Sequence, residues 1–248
     1  MREWIYGRNA VYETLRAGRR QGFRLLVAEG AQEKGRLADV VALARKAKIP
    51  VETVPRQRLD SLAGEGGGHQ GVALEASGYP YCALPDILEA ASRRGEPPFI
   101  MILDTLQDPQ NLGTLFRTCE AVGVHGVLLP LRRTATVTPA VVNASSGASE
   151  HLLVAQANLA QAIAGLKKAG VWVIGLQGEP PAQDLDEVRL DGPLALVVGN
   201  EGEGMRPLVR ASCDVLARLP MRGQVASLNA AVAGSIALYL AWQRRRSA

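Results

Sequence analysis

From Pro98 onward, short apolar segments alternate with helix-length amphipathic ones, and this rhythm limits the chain to very few architectures. Phe99–Leu103, Gly126–Leu129, Val171–Gly175 and Leu194–Val198 are strand candidates, and Asn111–Val122, Pro139–Ala148 and Leu159–Ala169 between them are helix candidates. Nearly continuous apolar strands separated by helices predict a largely parallel sheet covered on both faces, an α/β fold. In such sheets ligands sit outside the carboxyl ends of the strands. Polar, glycine-bearing segments that follow strands therefore carry the functional reading.

The amino-terminal third has a different texture. Asn9–Ala17 reads as a helix, Phe23–Ala28 as a strand, Lys34–Lys48 as a basic amphipathic helix, Val51–Val54 as a strand and Gly71–Ala76 as a last strand. Prolines and polar residues between Tyr79 and Pro98, around one short helix, suit a linker. The expected division is a substrate-binding domain at 1–77, a linker at 78–96 and a larger domain at 97–248.

The net charge is +4, and its excess lies in the first third: residues 1–77 hold 13 Lys/Arg against 9 Asp/Glu, residues 97–248 hold 13 against 12. Arg16, Arg19, Arg20 and Arg24, with Arg45, Lys46 and Lys48, could present cations to a polyanion, although a solvated helix face accounts for them equally well. Three cysteines lie far apart, and three histidines show no ligand spacing. A disulfide framework and a metal site are not expected, and a reducing cytoplasm fits. Met1–Gly7 has no apolar signal core. Val225–Trp242 is apolar and precedes Arg244, Arg245 and Arg246; its Ser227, Asn229 and Ser235 favour a buried carboxyl-terminal helix at a subunit contact over a membrane span.

Gly66-Gly-Gly-His-Gln-Gly71 matches a dinucleotide pattern formally, but it precedes a strand where a phosphate-binding loop must lead into a helix. It reads as a turn, with His69 and Gln70 as candidate RNA contacts. There is no Walker-type Gly-Lys-Ser/Thr. Three other segments are richer. Leu103–Cys119 passes from strand through a polar loop into a helix, which Asp108 or Asn111 could cap, and places Arg117 in an otherwise apolar helix, where a guanidinium needs an anionic partner. Ala195–Met205 runs from a buried strand into Gly199, Asn200, Glu201, Gly202, Glu203 and Gly204, where glycines let backbone approach a ligand. Leu219–Asn229 again follows a short strand and enters a helix that Ser227 can cap, with Asn229 on its first turn.

In order and spacing, Asn111-x-Gly-x-x-x-Arg117, Gly199-Asn-Glu-Gly-Glu-Gly and Pro220-Met-x-Gly-x-x-x-Ser227-Leu-Asn229 resemble the three motifs of the SpoU/TrmH branch of the SPOUT RNA methyltransferases. Trp4–Val11 and His69-Gln-Gly extend the resemblance, which is strongest to the RlmB-like group. It implies a deep trefoil knot in the carboxyl-terminal half, a small RNA-binding domain similar to ribosomal proteins, a homodimer with sites near the subunit contact, and methylation of a guanosine 2′-hydroxyl in large-subunit ribosomal RNA. S-adenosylmethionine would be held at Gly199, Leu219 and Leu228, with Val197, Met221 and Gln177 lining its pocket. Arg117 would grip the substrate phosphate and the developing alkoxide, and Asn111, Glu201, Ser227 and Asn229 would orient it and the ribose. The alternatives are a transfer-RNA enzyme of the same branch and a non-catalytic RNA-binding factor on the same fold.

Overall fold

The computed structural model describes residues 2–64, 68–179, 181–200, 202–224 and 227–246. In chain order the first elements are β1 (Arg2–Tyr6), α1 (Arg8–Ala17), β2 (Gly22–Ala28), α2 (Arg36–Lys46), β3 (Val51–Val54), α3 (Arg56–Ala63) and β4 (Val72–Ser77). There follow α4 (Leu84–Arg94), β5 (Phe99–Leu103), α5 (Pro109–Ala121), β6 (Gly126–Pro130), α6 (Pro139–Ala144), β7 (Val154–Ala157), α7 (Leu159–Lys168), β8 (Trp172–Leu176), β9 (Gln183–Asp184), β10 (Leu194–Val198), α8 (Pro207–Ser212), β11 (Val215–Arg218) and α9 (Ala230–Arg246). The strands form a four-stranded sheet, β1-β4-β2-β3, and a seven-stranded sheet, β7-β6-β5-β10-β8-β11-β9. All pairs in the larger sheet are parallel, as the alternation of strand and helix predicts.

The chain divides into two compact units, residues 1–80 with 136–151, and residues 81–135 with 152–248. In the first, α3 seats Leu59 against Leu26, Ala28 and Ala73 on one face of the sheet. Helix α1 packs on α2, β1 and β4. The segment from Thr136 to His151, expected with the carboxyl-terminal domain, packs here. Asn143 Nδ2 donates to the Tyr6 carbonyl (3.0 Å), and the Tyr79 hydroxyl donates to the Ser149 carbonyl (3.1 Å). Gly147, at φ +87°, brings its backbone so close to α1 that a Cβ there would lie 2.6 Å from the Glu13 Cβ.

The second unit begins before Pro98: α4, in the stretch read as a linker, buries Ile87 and Ala91. Alternation along the strands splits the unit into two layers. Ile100, Ile102 and Val197 face α4, α7 and α8 through Ile87, Ile163 and Val209. On the opposite face α9 crosses α5 at Gly234, where a Cβ would meet Leu115 at 2.7 Å and Val198 at 3.1 Å. Helix α9 is half-buried within the chain: Ala231, Gly234, Ala237, Leu238 and Ala241 turn inward, while Val232, Ile236, Tyr239 and Leu240 form an exposed apolar stripe. No helix among the described residues is long and apolar enough to cross a membrane.

Candidate functional site

At the carboxyl ends of the adjacent strands β10, β8 and β11 lies a cavity of about 500 Å³. Its walls are the end of β8 and the chain after it (Leu176–Glu179), the described residues of the loop after β10 (Gly199, Asn200 and Gly202–Met205) and the segment after β11 (Leu219, Met221, Ser227, Leu228), with Ala230 and Ala233 of α9 closing one side. Two of the three sequence segments thus meet at one site.

The loop after β10 is held from several directions. Asn200 and Gly204 exchange backbone hydrogen bonds (3.1 and 3.0 Å), the Asn200 Oδ1 accepts from the Gly202 N–H (2.7 Å), and its Nδ2 donates to the Thr105 carbonyl (3.3 Å). A Cβ on Gly199 would fall 2.2 Å from the Gly204 carbonyl carbon and 2.3 Å from the Met205 nitrogen, so only glycine allows the loop to fold back on its own strand. Asp104, wholly buried at the end of β5, accepts from the Arg206 backbone N–H (2.8 Å) and side-chain Nε and Nη2 (each 2.7 Å), pinning the loop's far end. Motif spacing does not single out this anchor. Its signal in the sequence is a carboxylate closing a wholly apolar strand, where an unpaired charge would be costly.

The pocket residues expected from sequence are mostly here. Gly199, Leu219, Leu228, Met221 and Gln177 line the cavity. Val197 does not: it turns into the core, and its strand neighbour Val198 lines the cavity in its place. Ser227 lines the cavity but does not cap α9. That role belongs to Asn229, whose Oδ1 accepts from the Ala231 and Val232 N–H groups (2.9 and 3.2 Å), directly before the helix. Asn229 Nδ2 also donates to Asn111 Oδ1 (3.3 Å), joining the first and third segments. Asn111 is the third residue of α5, and Asp108 is the cap, its Oδ1 accepting from the Gln110 N–H (3.0 Å). Arg117 lies on the exposed face of α5 and is not among the lining residues, because the buried positions 112, 113, 115, 116 and 119 turn the other way. Glu201 lies outside the described residues.

The candidate RNA contacts divide differently. Arg20 is buried in the first unit: Nε and Nη2 donate to Glu150 (2.8 and 3.0 Å), and Nη1 donates to Glu3 (2.8 Å) and the Ser77 carbonyl (3.1 Å). Burial alone would lower its pKa, but Glu150 and Glu3 outweigh that and raise it. Arg19 donates to the Tyr79 hydroxyl and to the carbonyls of Glu150 and Pro80 (each 3.2 Å). His69 is buried, its Nδ1 accepting from the Gly71 N–H (3.0 Å) and its Nε2 2.8 Å from Asp60. These three are engaged by groups of the fold itself. Arg16 is exposed beside Glu13 (3.4 Å), and Gln70 is exposed, its Oε1 accepting from the Arg8 N–H (3.0 Å).

Known proteins share both the cavity-bearing unit and the smaller sheet. Residues 98–239 match the SpoU rRNA methylase family, and residues 4–82 match a domain described as RNA 2′-O ribose methyltransferase substrate binding. The chain belongs to the SpoU methylase family. It is 42% identical over 244 residues to a Bacillus subtilis (strain 168) protein, YacO, assigned to the TrmH family of tRNA/rRNA methyltransferases, covering 98% of this chain and 96% of the relative. The crystal structure of an AdoMet-bound rRNA methyltransferase from Sinorhizobium meliloti covers 98% of this chain and is itself covered to 87%, with a TM-score of 0.79 and 25% identity. The TrmH/SpoU tRNA modifying enzyme of A. aeolicus covers 66% of this chain and is covered to 81%, with a TM-score of 0.56 and 26% identity. This SpoU chain therefore pairs a methylase unit with a substrate-binding unit.

Proposed function

We propose that this chain transfers a methyl group from S-adenosylmethionine to the ribose 2′-hydroxyl of a guanosine in large-subunit ribosomal RNA. The observation that carries the donor assignment is the cavity beneath Gly199. It is within the size range of small-molecule sites, walled by apolar side chains, loop backbone and polar groups such as Gln177 and Ser227, and framed by a loop that leaves no room for a Cβ at Gly199. Backbone at Gly199, Leu219 and Leu228 would hold the donor, with Met221 and Gln177 beside it. When bound, the donor supplies an electrophilic methyl group on a sulfonium.

The chain's own task is to align the hydroxyl and stabilise charge as its proton leaves. A guanidinium is always protonated, so Arg117 acts as a clamp on the substrate phosphate and the developing alkoxide, not as a base. Asn111, Ser227, Asn229 and Glu201 orient the clamp and the ribose, and Glu201 is the candidate proton acceptor. The chain acts as a homodimer in the cytoplasm. The exposed stripe Val232, Ile236, Tyr239 and Leu240 on α9, which packs against α5, supports a subunit contact that carries Arg117 towards the partner's cavity. Functionally the chain reads as an RNA-binding domain at 1–77 and a knotted methyltransferase domain at 97–248, with the connection at 78–96 lending α4 to the second unit. The coverage of the relatives favours ribosomal over transfer RNA. The rRNA methyltransferase spans both matched domains, whereas the tRNA modifying enzyme covers about two thirds of the chain.

The test is methyl transfer from tritiated S-adenosylmethionine to ribosomal and transfer RNA from a strain lacking the gene, followed by mapping of 2′-O-methylated positions. Label at one ribosomal guanosine is expected. Label in transfer RNA alone would refute the target, and absence of both donor binding and transfer would refute the enzyme. Arg117→Lys is expected to lose roughly a hundredfold in turnover, since lysine cannot reproduce the guanidinium fork.

A further inference from the structure

The first unit contains a second cavity, of about 580 Å³, at the carboxyl end of the parallel pair β2–β3, bordered by Arg8, Arg56, Glu29 and Gln70. Arg8 and Arg56 are the first residues of α1 and α3. Neither helix has an acidic residue in its first turn, and neither preceding residue, Gly7 or Pro55, supplies a side-chain cap. A helix N-terminus favours anions and opposes cations. Two arginines at two such positions bordering one cavity are an arrangement that a bound anion would stabilise.

The arginines are also unspent. Arg8 Nε donates to the Gln70 carbonyl (3.0 Å), which fixes the plane of its guanidinium. Among the described residues its two terminal nitrogens have no hydrogen-bond or ion-pair partner, and neither has any part of the Arg56 guanidinium. Gln70 makes the Arg8 contacts from a left-handed backbone, φ +51°, a conformation that costs a non-glycine residue free energy. Glu29 borders the same cavity without pairing with either arginine, and it would repel an anion from its own wall. The anion is thereby confined to the side of the two arginines. Arg19 and Arg20, by contrast, are already committed to protein acceptors.

We propose that this cavity binds a backbone phosphate of the substrate RNA between Arg8 and Arg56, as the gripping point of the substrate-binding unit. The assignment rests on the RNA-methyltransferase reading for the identity of the polyanion. Its chemistry is that of a phosphodiester held by two guanidinium forks and two helix N-termini.

The experiment compares the full chain with R8Q/R56Q and with a charge-matched control, R93Q/R94Q, which alters two exposed cations of α4. Binding to a random-sequence single-stranded RNA twelve-mer and to fragmented large-subunit ribosomal RNA is followed by anisotropy over a range of salt. Losing one phosphate contact should reduce the slope of log K against log salt by about 0.7. R8Q/R56Q should also weaken binding at least about tenfold at physiological salt, a loss of roughly 1.4 kcal/mol, and the control should change it by far less. An unchanged slope in R8Q/R56Q, or an equal loss in the control, would overturn the assignment. Should the double variant lose its thermal transition, R56E, at an exposed side chain, carries the same readout. Calorimetric binding of S-adenosylmethionine separates the two readings. A wild-type chain that binds RNA but no donor refutes the methyltransferase, and intact donor binding with unaltered RNA binding in R8Q/R56Q refutes the phosphate site alone.

Discussion

In the first unit the Arg20 guanidinium lies buried between Glu150 and Glu3, whereas the interior of the second unit is occupied by β5 and β10, apolar and buried at every position. The two openings also differ. Both sit at the carboxyl ends of parallel strands, yet the first is an opening whose cations are Arg8 and Arg56, and the second combines loop backbone, leucines and methionines with Arg210, Arg218, Glu179 and Glu203 of both signs. Topology gives both cavities the same kind of address, and the lining decides what each can receive. The difference also concerns tolerance. A charged interior fails when one partner is removed, while an apolar sheet with a folded-back loop fails when atoms are added.

Glu150→Ala should do the most damage to either unit. It leaves Nε and Nη2 of a buried guanidinium without their acceptor, Glu3 remaining on Nη1; breaking a buried pair typically costs about 3–5 kcal/mol, and calorimetry or denaturant unfolding should detect this as a large loss of stability. The double change R20M/E150M sharpens the contrast, because replacing both charges by hydrocarbon should restore most of that loss. If Glu150→Ala melts like the parent, the first unit is not held by its ionic interior. Next in size is Gly199→Val in the second unit. Its Cβ would overlap the Gly204 and Met205 backbone, so the loop must move, at a cost of about 1–3 kcal/mol. S-adenosylmethionine affinity, measured by calorimetry, should fall roughly 10- to 100-fold. Wild-type affinity in that variant would mean that the close approach of loop and strand does not shape the site.

The second unit is more legible in sequence than the first, and the reason is the same contrast. β5 and β10 stand where their apolar runs end, because a strand buried on both faces announces itself without help from its neighbours. β1, Arg-Glu-Trp-Ile-Tyr, escapes such a reading: it is an edge strand that mixes charge with aromatic residues, and it is a strand because β4 pairs with it. α3 buries only Leu59, too little periodicity to read. The docking of residues 136–151 onto the first unit depends on pairs such as Arg20–Glu150, 130 residues apart, for which local patterning carries no signal. At the site, the glycine-bearing segments are visible because loops that approach a ligand need glycine. Arg117 stands on the helix expected for it, but on the exposed face and not among the apolar residues, a distinction that depends on which side the sheet covers. Arg20 and His69 look available in sequence because composition does not distinguish a solvated cation or imidazole from one consumed inside the fold.

The smallest expected effect concerns a titration in the second unit. His125 is buried, its Nδ1 accepts from the Phe99 N–H (3.0 Å), and its Nε2 lies 3.0 Å from Glu96. With Nδ1 an acceptor, the ring proton sits on Nε2, and the imidazole is neutral. Burial, reinforced by Arg94 and Arg245 against the opposing pull of Glu96, lowers its pKa from the usual value near 6.5. Between that value and the lowered one, the unfolded chain binds more protons than the folded chain, so stability rises with pH. This contribution is complete above about pH 6.5 and is lost as pH falls through the folded-state pKa. His125→Gln should therefore be less stable than the parent at pH 8 and show a flatter stability profile below about pH 6.5 in denaturant titrations. If the two profiles run parallel across that window, the apolar unit does not hold this imidazole neutral, and the contrast with the charged interior of the first unit narrows to the ion pair alone.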